Sequence, residues 1–479
     1  MHKQKLGMLF QATLKGKTLE ANKRFLKKIR PSSIVLFADN FNTAAELDRL
    51  IAEVSRYYRT ELSAVAPVFS IDQEGGNVMR LCDIPFPPSN MAVGATGDER
   101  LAYYTGLLTG YHLRAHGVDW NLAPVLDVNN TPENPIIGIR SYGDDPDFVS
   151  RMGISYIRGM KSQGCLTTAK HFPGHGSVSV DSHLDLPVDE RSAQEIRRTA
   201  LPFVKALECG VDSVMISHLC YPSITGESDL PATLSRAVIT GLLRKEMGCN
   251  VPVLTDSLSM GAVKKHFRPS ESALMALRAG ADIIEDTEQE EVEEMYASIA
   301  EKSDSLDSQL TAALRRIEQL FVKRNAASAT AADTLGHLLR CSVTGIGRET
   351  PSRVPSNRKW AVYDCEVTVC GRRYSPLSLA MTEMGIEHVP GGEGTDGLPA
   401  LLLMYGEHLK QHNDIASIRS RHSELYAIGA GAPYDAGMVT GIPYLTGYSP
   451  NVQSVKACLE ALFGQFTPAG KVPVRLESS

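Results

Sequence analysis

No stretch of this chain approaches the roughly eighteen consecutive apolar residues that a membrane-spanning helix needs. Met1-His2-Lys3-Gln4-Lys5-Leu6-Gly7-Met8 holds no apolar run long enough for a signal peptide. The nine cysteines are scattered and odd in number, and they form no C-x-x-C pair and no zinc-ligand spacing. Free thiols in a reducing compartment are therefore expected, and with no leader visible a cytoplasmic protein is expected. Neither charge sign dominates: 49 Lys and Arg against 55 Asp and Glu leave a net charge of −6. That argues against nucleic acid or an anionic membrane as the main partner. There is no internal repeat and no coiled coil.

What is present is a globular composition, 43% hydrophobic and 22% charged, over 479 residues, too many for one ordinary domain. Short apolar stretches at 33–37, 67–71, 120–126, 166–169, 213–216, 251–254 and 282–284 read as strands. Amphipathic stretches at 43–58, 192–209 and 270–279 lie between them. Such alternation over roughly 300 residues predicts a parallel sheet, either a TIM-like barrel or a doubly wound open sheet. The polar residues of interest mostly follow strands, which favours the barrel with one working face. A catalytic domain at 1–325, a small polar linker at 326–357 and a smaller α/β domain at 358–479 are expected. In the last, 360–363, 400–404, 425–429 and 442–445 read as strands. The acidic run 285–294 reads as a solvated helix start.

The densest chemistry is Lys170-His171-Phe172-Pro173-Gly174-His175-Gly176, followed by Asp181-Ser182-His183. Its proline and glycines write a turn after a buried strand. An Asp-x-His pair can hold an imidazole in one tautomer and tune its proton affinity, as a proton-transfer catalyst requires. A lone histidine here would more simply be structural, but packing does not demand the whole string. Asp256 directly follows an apolar strand in Thr255-Asp256-Ser257-Leu258-Ser259-Met260. Alone it reads as a helix N-cap. Asp72 opens Asp72-Gln73-Glu74-Gly75-Gly76 after another strand, where a turn stabilised by its own Asp is the simpler reading.

Together these segments resemble glycoside hydrolase family 3, in its β-N-acetylglucosaminidase branch. Asn121-Leu122-Ala123-Pro124-Val125-Leu126-Asp127-Val128-Asn129 and the segment from Asn134 to Pro146 extend the likeness over residues 6 to about 290. The resemblance implies a TIM-like (β/α)8 barrel followed by a smaller C-terminal α/β sandwich-type domain. It implies retaining exo-hydrolysis of terminal β-linked GlcNAc, in muropeptides carrying GlcNAc-β-1,4-MurNAc during peptidoglycan recycling. Asp256 would be the nucleophile, His183 the acid/base and Asp181 its partner. Asp72, Arg140, Lys170, His171, His218 and Met260 would bind the sugar, His218 having an equal claim to a place behind the site. Asp127 would brace the site, and His175 would be structural. The family's usual Arg after the second Gly of D-Q-E-G-G is Asn77 here, with Arg80 three residues on. Leu462 to Pro473 resembles the closing segment of the family's second domain. Family 3 β-glucosidases take their acid, typically a Glu, from that domain, and the D-x-H element makes one unnecessary.

No metal or organic cofactor is implied. The partners implied are a small carbohydrate substrate and at most a second copy of the chain, monomer or homodimer. The alternatives are a family 3 β-glucosidase or β-xylosidase, a β-N-acetylglucosaminide phosphorylase, and, in a different class, a catalytically dead sugar-binding protein.

Overall fold

The computed structural model describes residues 3–82, 87–178, 186–322, 344–346, 358–364, 367–369, 372–391, 394–404, 415–431, 444–449, 452–463, 465, 467–471 and 473. Eight parallel strands form one sheet: β1 (Phe10–Thr13), β2 (Ser33–Leu36), β3 (Val68–Ile71), β4 (Trp120–Asn121), β5 (Leu166–Phe172), β6 (Ser213–Ile216), β7 (Val253–Thr255) and β8 (Ile284–Asp286). Neighbours in sequence are neighbours in space, and β1 also pairs with β8. The Leu254–Ile283 bridge joins β7 to β8 and brings the sheet round into a barrel. The expected TIM-like architecture is therefore the one present.

The helices bury one face each. Ala44–Thr60 starts at Thr43, whose hydroxyl accepts from the Glu46 N–H (3.3 Å), and it buries Leu47, Leu50, Ile51, Val54, Tyr57 and Tyr58 at helical spacing. Pro146–Ser162 is capped by Asp145 and packs on Glu99–Ala115. Glycine makes that contact close: a Cβ on Gly159 would sit 2.0 Å from the Tyr103 carbonyl.

Several boundaries differ from expectation. β1 lies in a segment that reads as no strand, because Gln11 and Thr13 interrupt its apolar residues although both are buried. β4 stops at Asn121, since Pro124 has no N–H to donate; contact with β5 resumes at the Val125–Lys170 bridge. β5 continues through Phe172, so Lys170 and His171 stand within a strand rather than after it. Glu285 and Asp286 belong to β8 and are buried. The acidic run is thus not a solvated helix start throughout; the helix begins at Gln289.

Three of the even-numbered strands share an entry. Gly117-Val118-Asp119, Gly210-Val211-Asp212 and Gly280-Ala281-Asp282 precede β4, β6 and β8. Each carboxylate accepts from a backbone N–H of the preceding strand segment: Phe69 (3.4 Å), Thr167 (3.1 Å) and Val253 (2.9 Å). Each also pairs with a cation: Arg114, Lys161 (2.7 Å) and Arg244 (2.6 Å) respectively. Buried carboxylates are tolerated here because every one is paired and hydrogen-bonded.

The second sheet has the order β13-β10-β14-β15-β16-β9, formed by β9 (Thr344–Ile346), β10 (Trp360–Tyr363), β13 (His388–Pro390), β14 (Ala400–Met404), β15 (Leu425–Gly429) and β16 (Tyr444–Thr446). Only its β16–β9 pairing is antiparallel. β11 (Val367–Val369) and β12 (Arg372–Tyr374) form a separate ribbon. Strand β9 lies inside the stretch 326–357 expected as linker, so that part of it belongs to the sheet. The second sheet has its own core around Trp360, Leu401, Ile428 and Leu459.

Tyr448, just past β16, packs with Met91, Ala92, Ala95 and Ile139 of the barrel domain. Its carbonyl accepts from the Ser89 hydroxyl (2.5 Å). Cys165, Cys209, Cys220, Cys249 and Cys458 are free thiols as expected, but Cys82 is disulfide-bonded. Among the described residues no helix is long and apolar enough to cross a membrane.

Candidate active site

The C-terminal ends of the strands surround a cavity of ≈ 490 Å³. Asp72 and Glu74 follow β3, Lys170 and His171 stand on β5, Asp256 follows β7, and Glu285 is on β8. Asp72, Arg140, Lys170, His171, Asp256 and Met260, six of the expected site residues, line it. Asp181 and His183 lie outside the described residues. His218 is not on the cavity wall but behind it.

One ion-pair network builds the wall opposite Asp256. Lys170 Nζ donates to Asp72 Oδ1 (2.7 Å) and Glu74 Oε1 (2.6 Å). Arg140 grips Glu74 with two nitrogens (2.8 and 2.9 Å). Burial acts to raise the Glu74 carboxyl, yet Arg140 and Lys170 outweigh it and hold that carboxyl well below the usual range. Arg140 also stands 3.3 Å from His171 Nε2. His171 Nδ1 meets Asp127 (2.7 Å), which also accepts from the His175 N–H (2.7 Å). Asp127 therefore braces the histidine turn from below. At Gly176 a Cβ would fall 1.9 Å from the Val128 carbonyl, so only glycine lets the turn approach this closely. Burial lowers the His175 imidazole to about 4, consistent with a neutral structural ring.

Asn77 is exposed, and Arg80 occupies the cavity wall instead. Arg80 stacks over Phe37 (5.3 Å to the centroid) and lies 3.5 Å from Asp72. Gln73 holds this loop through the N–H groups of Arg80 and Leu81 (3.0 and 3.1 Å).

Asp256 forms no ion pair among the described residues; it accepts from the Ser257 N–H (2.8 Å). Behind it, His218 Nε2 donates to the Ser257 carbonyl (2.8 Å), and Nδ1 lies 2.7 Å from the Thr233 hydroxyl. That hydroxyl donates to the Ser217 carbonyl (2.7 Å) and so accepts from Nδ1–H. Both ring nitrogens then donate, which makes His218 an imidazolium. Burial alone would raise the Asp256 carboxyl; His218 and His171 outweigh it and keep the group below the usual range. Asp256 is thus a carboxylate presented ionised to the cavity.

Glu74, Arg80 and Glu285 are wall residues that sequence reasoning did not nominate. Glu74 was legible as the third residue of D-Q-E-G-G; Glu285 was hidden in an acidic run.

Fold and site define a β/α-barrel enzyme. The family model "Glycosyl hydrolase family 3 N terminal domain" matches residues 1–320. A β-hexosaminidase of Thiobacillus denitrificans is 34% identical over 287 residues, 58% of this chain and 77% of that protein. β-Hexosaminidase A of Pseudoalteromonas piscicida is 30% identical over 332 residues, 63% of this chain, which spans 56% of that relative's length. The structure of a glycoside hydrolase family 3 β-N-acetylglucosaminidase from Paenibacillus sp. FPU-7 superposes with a TM-score of 0.91 at 29% identity, covering 100% of this chain and 99% of that one. The chain belongs to glycoside hydrolase family 3.

Proposed function

We propose that the protein is a retaining exo-β-N-acetylglucosaminidase. The observation that carries this reading is Asp256, a carboxylate kept ionised by the His218 cation and facing a polar cavity. In the proposed first step Asp256 attacks the anomeric carbon while His183 protonates the departing glycosidic oxygen. A covalent glycosyl-Asp256 forms, and the aglycone leaves as an alcohol. In the second step His183, now neutral and oriented by Asp181, takes a proton from water, which displaces Asp256. Each step inverts the anomeric centre, so the configuration is retained.

The opposite wall suits a sugar. Lys170 has three N–H donors, two of them committed to Asp72 and Glu74. Asp72, Arg140, Lys170 and His171 thus offer acceptors and donors to ring hydroxyls. The 77% coverage of a β-hexosaminidase relative supports the N-acetyl sugar over plain glucose. We propose terminal β-linked GlcNAc as the sugar transferred to Asp256 and released, with muropeptides carrying GlcNAc-β-1,4-MurNAc as natural substrates in peptidoglycan recycling. We propose residues 1–325 as the catalytic unit and 358–479 as its scaffold.

The test is hydrolysis of 4-nitrophenyl N-acetyl-β-glucosaminide and 4-nitrophenyl β-glucoside by wild type, Asp256→Ala and His183→Ala. The expected result is turnover of the acetamido sugar alone. Asp256→Ala should lose it, and His183→Ala should lose far more on a GlcNAc–MurNAc substrate than on the nitrophenyl one, whose leaving group needs less protonation. Preference for the glucoside would overturn the sugar assignment. Equal losses on both leaving groups would overturn His183 as the acid, and glycosyl phosphate appearing in phosphate buffer would replace hydrolysis by phosphorolysis.

A further inference from the structure

Glu285 has no place in the mechanism above, yet it lines the same cavity as Asp72 and Asp256. Strand register shows why it points there. Glu285 pairs with Gln11 across β8 and β1, and paired residues of parallel strands project to the same side. Gln11 reaches inside the barrel to the Ser70 hydroxyl on β3 (2.9 Å). Glu285 therefore projects inward as well, at 4% exposure. Its backbone is occupied, with N–H donating to Thr255 Oγ1 (3.0 Å) and the carbonyl accepting from Leu258 (3.0 Å). Its side chain is not: Oε2 is buried with no hydrogen-bond partner, and no cation pairs with it among the described residues.

A buried polar atom without a partner is uncommon and calls for an explanation. The charged groups facing this carboxyl are Asp72 after β3, Lys170 on β5, Asp256 after β7 and its own neighbour Asp286. Three of the four are carboxyl groups, and Lys170 is already held by Asp72 and Glu74. An ionised Glu285 would add one more negative charge to this corner without compensation. Burial, reinforced by Asp72 and Asp256, accordingly raises its carboxyl well above the usual range. A protonated carboxyl differs from the other wall groups. Asp72 and Asp256, when ionised, only accept, and Lys170 and Arg140 only donate; a carboxylic acid does both.

We propose that Glu285 hydrogen-bonds the bound sugar from the barrel floor, through a carboxyl group that offers both a donor and an acceptor. It holds the edge of the ring between the anomeric carbon over Asp256 and the hydroxyls gripped by Asp72. This assignment rests on the sugar-hydrolase reading of the site. Glutamine reproduces the neutral acid's donor and acceptor but does not ionise; leucine reproduces only its bulk.

The test compares wild type, Glu285→Gln and Glu285→Leu on 4-nitrophenyl N-acetyl-β-glucosaminide between about pH 5 and 10. The wild-type carboxyl ionises as pH rises, losing its donor and repelling Asp256, which weakens sugar binding on the alkaline side in addition to the loss of the His183 proton. Glu285→Gln should stay within about threefold of wild type near pH 6 and keep its KM more nearly constant than wild type as pH rises. Glu285→Leu should raise KM at least about tenfold at unchanged melting temperature. A KM within about twofold in Glu285→Leu, or a loss in Glu285→Gln as large as in Glu285→Leu, would overturn the assignment. If wild type turned over no glycoside, the hydrolase reading would be the one that fails. Calorimetric titration of N-acetylglucosamine into wild type and Glu285→Leu would then decide this assignment, equal affinities overturning it.

Discussion

Proton placement around Asp256 is decided by a residue that never reaches the cavity. Thr233 spends its hydroxyl proton on the Ser217 carbonyl, which obliges His218 to keep both of its own. The resulting cation lies behind the nucleophile and favours its ionised form. Its removal has a definite sign. The Asp256 carboxyl should rise, so activity should be lost at higher pH as the solution is acidified. His218→Asn is thus expected to move the acid limb of the kcat/KM profile upward, and Thr233→Val should move it the same way. An unmoved acid limb in both would contradict the imidazolium. Sequence made Asp256, Asp72 and Lys170 visible because each sits at or beside the end of an apolar strand. It could not separate His218 from the wall, since that distinction depends on a threonine fifteen positions away.

At the scale of elements, the Gly-x-Asp entry to β4, β6 and β8 ties each strand to the one before it. Asp282 does most: it accepts from the Val253 N–H and from Arg244, and it holds Arg316 (2.8 Å) on the helix Asp307–Val322. Replacing it by alanine would leave a buried backbone N–H and two half-buried arginines without this carboxylate. Asp282→Ala should lower unfolding stability by about 3–5 kcal/mol in urea titration while leaving KM unchanged. A loss below about 1 kcal/mol would mean that the arginines find other partners. The recurrence is too short and too dispersed to read as a sequence repeat, and its meaning appears only when the three carboxylates are seen at the entries of alternate strands, each tied to the strand before it. Most strands were legible because buried parallel strands are continuous apolar runs. β1 was not, since its Gln11 faces a polar interior shared with Ser70 and Glu285. The same polar interior concealed Glu285, whose acidic neighbours imitate the first turn of a helix.

For the whole molecule, the contact at Tyr448 matters most. The Ser89 that donates to its carbonyl also caps the helix Asn90–Thr96, and Asn90 in that helix donates to the Arg140 carbonyl (2.7 Å). Ile139, beside Arg140, belongs to the same buried apolar cluster as Tyr448. The second domain thus reaches a wall residue of the cavity through two intermediaries. Tyr448→Ala opens a hole in that cluster and should raise KM several-fold with little change in kcat, because Arg140 loses support while Asp256 does not. An unchanged KM would mean that the barrel alone positions Arg140. Four of the six second-sheet strands followed from apolar runs, while β9, inside the expected linker, and the half-exposed edge strand β13 did not; no pattern along the chain could tell that Tyr448 would pack with Ile139.

Thermodynamic reciprocity gives that contact a second meaning. If docking of the second domain steadies Arg140, then a ligand that steadies Arg140 must favour docking by the same free energy. Saturating sugar, at about a hundred times Kd, is worth up to about 2.7 kcal/mol to whatever state binds it. Amide exchange in 444–449 should slow when N-acetylglucosamine is added, and should ignore it in Tyr448→Ala. The outer domain would then act as a gauge whose rigidity registers occupancy of a cavity that none of its described residues lines.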